Sequence, residues 1–248
     1  VACSALAPND DTPLVQLTAR ARGNEAEDPC ACLPWNSVYR NFGVYCGQAN
    51  ELALFGSMRA RESNHEQEYC QRAYIRLSNN YCTQLHFQQQ STEQWCYVGA
   101  GCNLNSTTLL QGTLAAWKTC SPHQDRMLGQ LRLKELVQIA HDDNIDPAIL
   151  VKMAYPVYQY GLHWQDVKDY LVGGQASRAV KANYTVIEDI QASGEPMVFD
   201  SPDHKTPFGL IHGYQAWENE ETKWLHHAWY DDRVDLEANA DKVSQFTC

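Results

Sequence analysis

The sequence predicts a mainly α protein: an irregular, disulfide-stapled N-terminal half with short helices, packed on a small three-helix unit and an aromatic-rich C-terminal tail. Two observations predict it. Nine of the ten cysteines lie in the first half, at Cys3, Cys30, Cys32, Cys46, Cys70, Cys82, Cys96, Cys102 and Cys120, and the tenth is Cys248. After Cys120 the punctuation turns helical, with Ser121-Pro122 and Asp146-Pro147 as start signals and Gly173-Gly174 as a stop.

Residues 1–29 read as an arm, because turn-formers and charges flank one short apolar-containing stretch, Leu14 to Ala21. Residues 30–120 read as a cysteine-rich module. Within it, helices are expected over Asn36 to Tyr45, Gln48 to Arg61 and Glu62 to Leu77, the last because Tyr69, Ala73 and Leu77 recur at helical spacing. Residues 121–174 form the helical unit. Leu128, Leu131, Leu136 and Ile139 mark its first helix, Ala148 to Ala154 its second, closed by Pro156, and Trp164 to Val172 its third. Residues 175–248 hold one more helix, Ala176 to Ile190, then a Pro-, Gly- and aromatic-rich stretch and an acidic segment rich in Trp and His.

With 44% hydrophobic residues the chain can fill a core, so the cysteines supplement it. An even count at irregular spacing points to oxidised pairs in an oxidising compartment. Spacing leaves the pairing open, but Cys30 and Cys32 are too close to bridge each other comfortably, so each is expected to reach a different distant partner. Cys3 and Cys248, outside the module, are expected to clasp the two ends. A net charge of −11 with scattered Lys and Arg argues against a nucleic-acid groove. No apolar run is long enough for a transmembrane segment, no charged-then-apolar leader opens the chain, and the sequence reads as a mature form. Asn105-Ser106-Thr107 and Asn183-Tyr184-Thr185 are sequons for N-glycosylation.

The order Cys30-Ala31-Cys32-Leu33-Pro34-Trp35, Phe42-Gly43-Val44-Tyr45-Cys46-Gly47, Cys70, Cys82, Gln94-Trp95-Cys96-Tyr97-Val98, Cys102 and Trp117-Lys118-Thr119-Cys120 resembles a cysteine-rich module of secretory proteins in dinoflagellates and related algae. That resemblance implies a disulfide module and an endomembrane or plastid-lumen route. It implies no chemistry. Trp95-Cys96-Tyr97-Val98 also resembles the Trp-Cys-Tyr element of kringle domains, which bind ligands through aromatic pockets, although Gln88 to Gln94 replace the expected Pro- and Gly-rich lead-in.

Candidate chemistry is sparse. His226-His227 with Asp231 and Asp232 is the densest histidine cluster, and if Trp224 to Tyr230 were helical, His227 and Asp231 would lie one turn apart as metal ligands. Two ligands do not make a site, and the cluster reads as a solvated acidic helix face. There is no Gly-x-Ser-x-Gly elbow and no phosphate-cradling loop, and paired cysteines leave no thiolate nucleophile. Trp35, Trp95 and Trp117 read as bridge-covering core residues. Trp217, Trp224, Trp229 and Tyr230 are the candidate interface, because such aromatics concentrate in binding hot spots.

These observations lead to a non-catalytic accessory or scaffold protein of an oxidising lumen that needs no cofactor. With the algal resemblance, the expected partner is a photosynthetic membrane complex (photosystem or light-harvesting) contacted peripherally from the thylakoid lumen. The alternatives are a secreted carbohydrate- or ligand-binding module that uses exposed tryptophans, and a hydrolase using unassigned carboxylates.

Overall fold

Two sheets organise the protein, the first antiparallel and the second mixed, and neither is anticipated by the helical periodicity. A computed structural model describes residues 28–53, 67–86, 91–158, 161–171, 184–202, 206–220, 223–228 and 245–247. The first sheet has the order β1-β2-β4-β3, from β1 (Thr83–Gln84), β2 (Gln94–Gly99), β3 (Thr107–Leu109) and β4 (Ala115–Thr119). The second runs β10-β9-β8-β7-β6-β5, from β5 (Val157–Tyr158), β6 (Pro196–Phe199), β7 (Phe208–His212), β8 (Gln215–Glu220), β9 (Lys223–Ala228) and β10 (Gln245–Thr247). The chain is therefore mixed α/β, and the mainly α expectation is corrected. The stretch expected to be an aromatic tail is the body of the second sheet.

The helices are α1 (Trp35–Asn41), the wide turn α2 (Gln67–Tyr74), α3 (Leu133–Asp142), α4 (Pro147–Ala154), α5 (Trp164–Leu171) and α6 (Tyr184–Ser193). α4 starts where Asp146-Pro147 says it should: the Asp146 carboxylate accepts from the Ala148 N–H at 2.8 Å, and Pro147 occupies the first turn. Ser121-Pro122 does not start a helix. The Asp125 carboxylate accepts from the Ser121 N–H at 2.9 Å and closes a turn there. A short 3-10 segment follows at Leu128–Gln130, and the helix begins only at Leu133, where Glu135 accepts from the Arg132 N–H.

α4 lies at the centre, with every residue from Ile149 to Ala154 buried. One core joins Trp35, Trp95 and Tyr97 of the first half to Leu136, Leu150, Val198, Leu210 and Trp224 of the second. The second sheet separates that core from a smaller one. Met197 and Phe199 of β6 face α5 and α6 with Trp164, Val167, Ile187 and Ile190, while Val198 between them faces the main core. β5 and β6 pair in parallel, so the chain between them must cross over the sheet, and α5 and α6 make that crossing.

The side chain of Gln94 ties the two halves. Its Nε2 donates to the Ala154 carbonyl at the end of α4 at 2.7 Å, and its Oε1 accepts from the Gly129 N–H at 3.3 Å.

Candidate functional site

The eight cysteines of residues 30–120 form four bridges: Cys30–Cys102, Cys32–Cys96, Cys46–Cys70 and Cys82–Cys120. Cys30 and Cys32 reach different partners, as their closeness in sequence requires. Two bridges lie against each other. The Sγ atoms of Cys32, Cys82, Cys96 and Cys120 all fall within 4.8 Å of one another in a buried cluster. Its polar neighbour is the ion pair Lys118–Asp125, 2.8 Å long and almost fully buried, whose carboxylate also lies 3.6 Å from Cys32 Sγ. Cys3 and Cys248, the expected clasp, lie outside the described residues.

Beside this cluster stands an aromatic cage. Trp35 meets Trp95 edge-on at 4.9 Å and Tyr97 at 5.4 Å, and tilts against Tyr74 at 4.9 Å. The Trp35 Nε1 donates to the Tyr81 carbonyl at 2.7 Å. Beneath the cage sits Glu51, fully buried. Its Oε1 accepts from the Tyr97 hydroxyl at 2.5 Å and the Tyr39 hydroxyl at 2.9 Å, and its Oε2 from the Ala49 N–H at 3.1 Å. Desolvation raises the Glu51 pKa, and the hydrogen bonds from Tyr97 and Tyr39 oppose that rise. Burial, with the Glu51 charge, raises the Tyr97 and Tyr39 hydroxyls far out of the physiological range.

Chemically, Glu51 is a sealed acid. Its carboxyl has no solvent face from which to reach a substrate, so the cage acts on the fold. Sequence reading places Trp35 and Trp95 as core but misses Glu51, which has no motif around it. The signal available was one acid in the loop after Cys46, facing an aromatic strand.

The sequence-derived site residues are dispersed. Trp224 is fully buried and meets Phe208 edge-on at 5.4 Å, so it packs the core and offers no surface to a partner. Trp217 is half-buried and leans on His226 of the neighbouring strand, with ring centroids 5.3 Å apart. The premise of the His227 and Asp231 pair is corrected: residues 223–228 are strand β9, so the one-turn spacing of a helix does not arise. In register, Trp217 faces His226 and Ala216 faces His227. Trp229, Tyr230 and Asp231 lie outside the described residues. Of the sequons, Asn105 is exposed in the turn before β3, and Asn183 lies outside the described residues.

Among the described residues, three of the exposed large apolar side chains, Leu104, Leu109 and Leu114, lie in or beside edge strand β3 of the first sheet. Leu104 precedes edge strand β3, Leu109 ends it, and Leu114 closes the following turn by donating its N–H to the Phe42 carbonyl at 2.9 Å. Tyr45, three residues beyond Phe42, is also exposed. Among the described residues no helix is long and apolar enough to cross a membrane. Comparison with protein-family models, curated proteins and solved structures found no match to the chain.

Proposed function

We propose that this chain is a non-catalytic accessory or scaffold protein that offers a rigid, disulfide-stapled edge to a protein partner. Four bridges suit an oxidising compartment or the exterior of a cell. The observation that carries the reading is the contrast between a sealed interior and an apolar edge. Glu51 and its tyrosines are withdrawn from solvent, whereas Leu109 and Leu114 stand 59% and 66% exposed beside β3. Exposed apolar groups on a bridged frame favour docking, because the frame has little entropy left to lose on binding.

The specific form supported by the cysteine-module resemblance is a peripheral subunit of an algal photosynthetic membrane complex, reached from the thylakoid lumen. Native protein should then co-migrate with such a complex. Substituting Leu109→Glu with Leu114→Glu should lower the retained fraction at least ~10-fold, since charges would have to be buried at the contact. The double variant should keep its four bridges and its thermal midpoint. Recovery of the native protein as a free monomer refutes the reading.

A second reading, a secreted carbohydrate-binding module, draws on Trp217, half-buried against His226, and Tyr214, exposed at the β7–β8 turn. A glycan array separates the two: binding that Trp217→Ala abolishes favours the carbohydrate module.

A further inference from the structure

Four sulfurs in mutual contact are more than two adjacent staples. We propose that Cys32, Cys82, Cys96 and Cys120 form a reduction-gated zinc site: bridged in pairs when oxidised, and closed on a single Zn2+ when both bridges are opened. Three observations carry the proposal.

The first is spacing. A tetrahedral zinc-thiolate centre with Zn–S of about 2.3 Å needs sulfurs roughly 3.8 Å apart. Here Cys32 and Cys82 Sγ, which are not bonded to each other, are already 3.6 Å apart, and all the cross-distances lie within 4.8 Å. Only the two bonded pairs must separate. Side-chain rotation can supply that movement, because the backbones within each pair stand 5.6 and 6.5 Å apart at Cα.

The second is independent anchoring. Cys96 sits in the β2–β4 ladder opposite Lys118, and the Cys120 N–H donates to the Gln94 carbonyl at 2.7 Å. The Cys82 N–H donates to Arg126 at 2.8 Å, and its carbonyl accepts from Leu128 at 3.0 Å. Cys32 is held by the Leu33 N–H on the Tyr97 carbonyl and by Asn80 Nδ2 on its own carbonyl. Opening the bridges leaves all four positions tethered by main chain. A preformed donor set avoids much of the ordering cost of metal binding.

The third is access and charge. All four cysteines are buried, but each bridge joins a residue at 9% exposure, Cys32 or Cys120, to a fully buried partner, Cys96 or Cys82. A dithiol-class reductant attacks the less buried sulfur as thiolate and forms a mixed disulfide. Its second thiol then displaces that sulfur and leaves as a cyclic disulfide. Each bridge takes two electrons and two protons, so two dithiols give four thiols. Zn2+ then forms four Zn–S bonds while four S–H bonds break and their protons pass to solvent. Lys118, paired with Asp125 beside Cys32 Sγ, offsets part of the added negative charge.

The test uses the full chain reduced with a phosphine under argon and titrated with Co2+. Uptake of one ion per chain with strong sulfur-to-cobalt charge-transfer absorption, bleached by stoichiometric Zn2+, is the expected result. The oxidised chain should take up none. Cys82→Ser should weaken Co2+ binding at least ~10-fold, while Cys46→Ser with Cys70→Ser, remote from the cluster, should leave it unchanged. Should reduction unfold the chain, Zn2+ is expected to restore its far-ultraviolet dichroism. Absence of the charge-transfer band at saturating Co2+, equal binding by Cys82→Ser, loss of binding in the Cys46/Cys70 variant, or failure of Zn2+ to restore structure in an unfolded reduced chain each overturns the proposal.

Discussion

Glu51 sits where its surroundings disfavour a charge, and the sign of the consequence follows from its raised pKa. Burial makes the folded state bind the Glu51 proton more tightly than the unfolded chain, where a glutamate titrates near about 4.3. The favourable contribution is full below that value and is lost as pH rises through the raised folded pKa, each unit of separation corresponding to about 1.4 kcal/mol. Glu51→Gln removes this dependence. It also turns an amide donor towards the Ala49 N–H, so the variant should be the less stable at low pH by about 1–3 kcal/mol. The gap should then narrow as pH rises. Urea unfolding from pH 4 to 8 checks this, and a gap that stays constant with pH sinks it. A second residue, Gly209 of β7, has no room for a methyl group: a Cβ there would lie 1.9 and 2.0 Å from ring atoms of Trp164. Gly209→Ala should cost about 2–4 kcal/mol, because either the α5 tryptophan or the strand must shift. In a Trp164→Ala background the added cost should fall below about 1 kcal/mol. Additive losses would show that the clash is not what constrains this position.

At the scale of elements, the helices were legible where a side chain declared the end, and the strands were not. α4 and α5 follow from Asp146-Pro147 and from the apolar spacing of Trp164, Val167 and Leu171. β8 defeats an alternation reading, because Glu218 and Asn219 are both buried in sequence, and Glu218 pairs with Lys168 of α5, 2.6 Å away. Trp224, His226 and His227 in β9 suit a helix face in sequence as well as a strand, because a short run of large residues fits either period. One strand signal was available. The ladder pairs His212 with Gln215, so Gly213-Tyr214 is a two-residue hairpin turn, and Gly213 has φ of +57° there. In the first half, the cysteines announced the bridges but concealed β2 and β4, whose pairing puts Trp95 opposite Thr119 and Cys96 opposite Lys118. Glu51 has no motif around it, since what defines it is the tyrosines brought over it by folding. The cap that made α4 legible also stabilises it. Asp146→Ala should cost about 1 kcal/mol by leaving the Ala148 N–H without its acceptor, measured as a shift of the urea midpoint at unchanged slope. An unaltered midpoint would mean that burial of α4 alone sets its start.

Across the whole molecule, the cysteine module and the later elements share a core, which bears on how the protein opens. Trp35 and Trp95 belong to the same buried cluster as Leu150 of α4, Leu210 of β7 and Trp224 of β9. Gln94 adds hydrogen bonds from β2 to the end of α4 and to Gly129. Separating the halves would expose the apolar faces of both at once and leave the polar side chain of Gln94 without its buried partners. At roughly 25 cal/mol per Å2 of apolar surface, such exposure opposes the opening of one half alone. The bridges do not decouple the halves either, for all four lie within residues 30–102 and 82–120, and none reaches the second sheet. They limit the unfolded ensemble of the first half, while the second is held to it by packing. Hydrogen exchange on the oxidised full chain should therefore give β2 and β4 the same opening free energy as β7 and β8, within about 1 kcal/mol. If the second sheet opens well before the first, the shared core is not cooperative, and residues 30–120 act as an autonomous stapled unit. Equal opening would mean that α4, although it carries no cysteine, transmits the stability of the bridged half to the sheet beyond it.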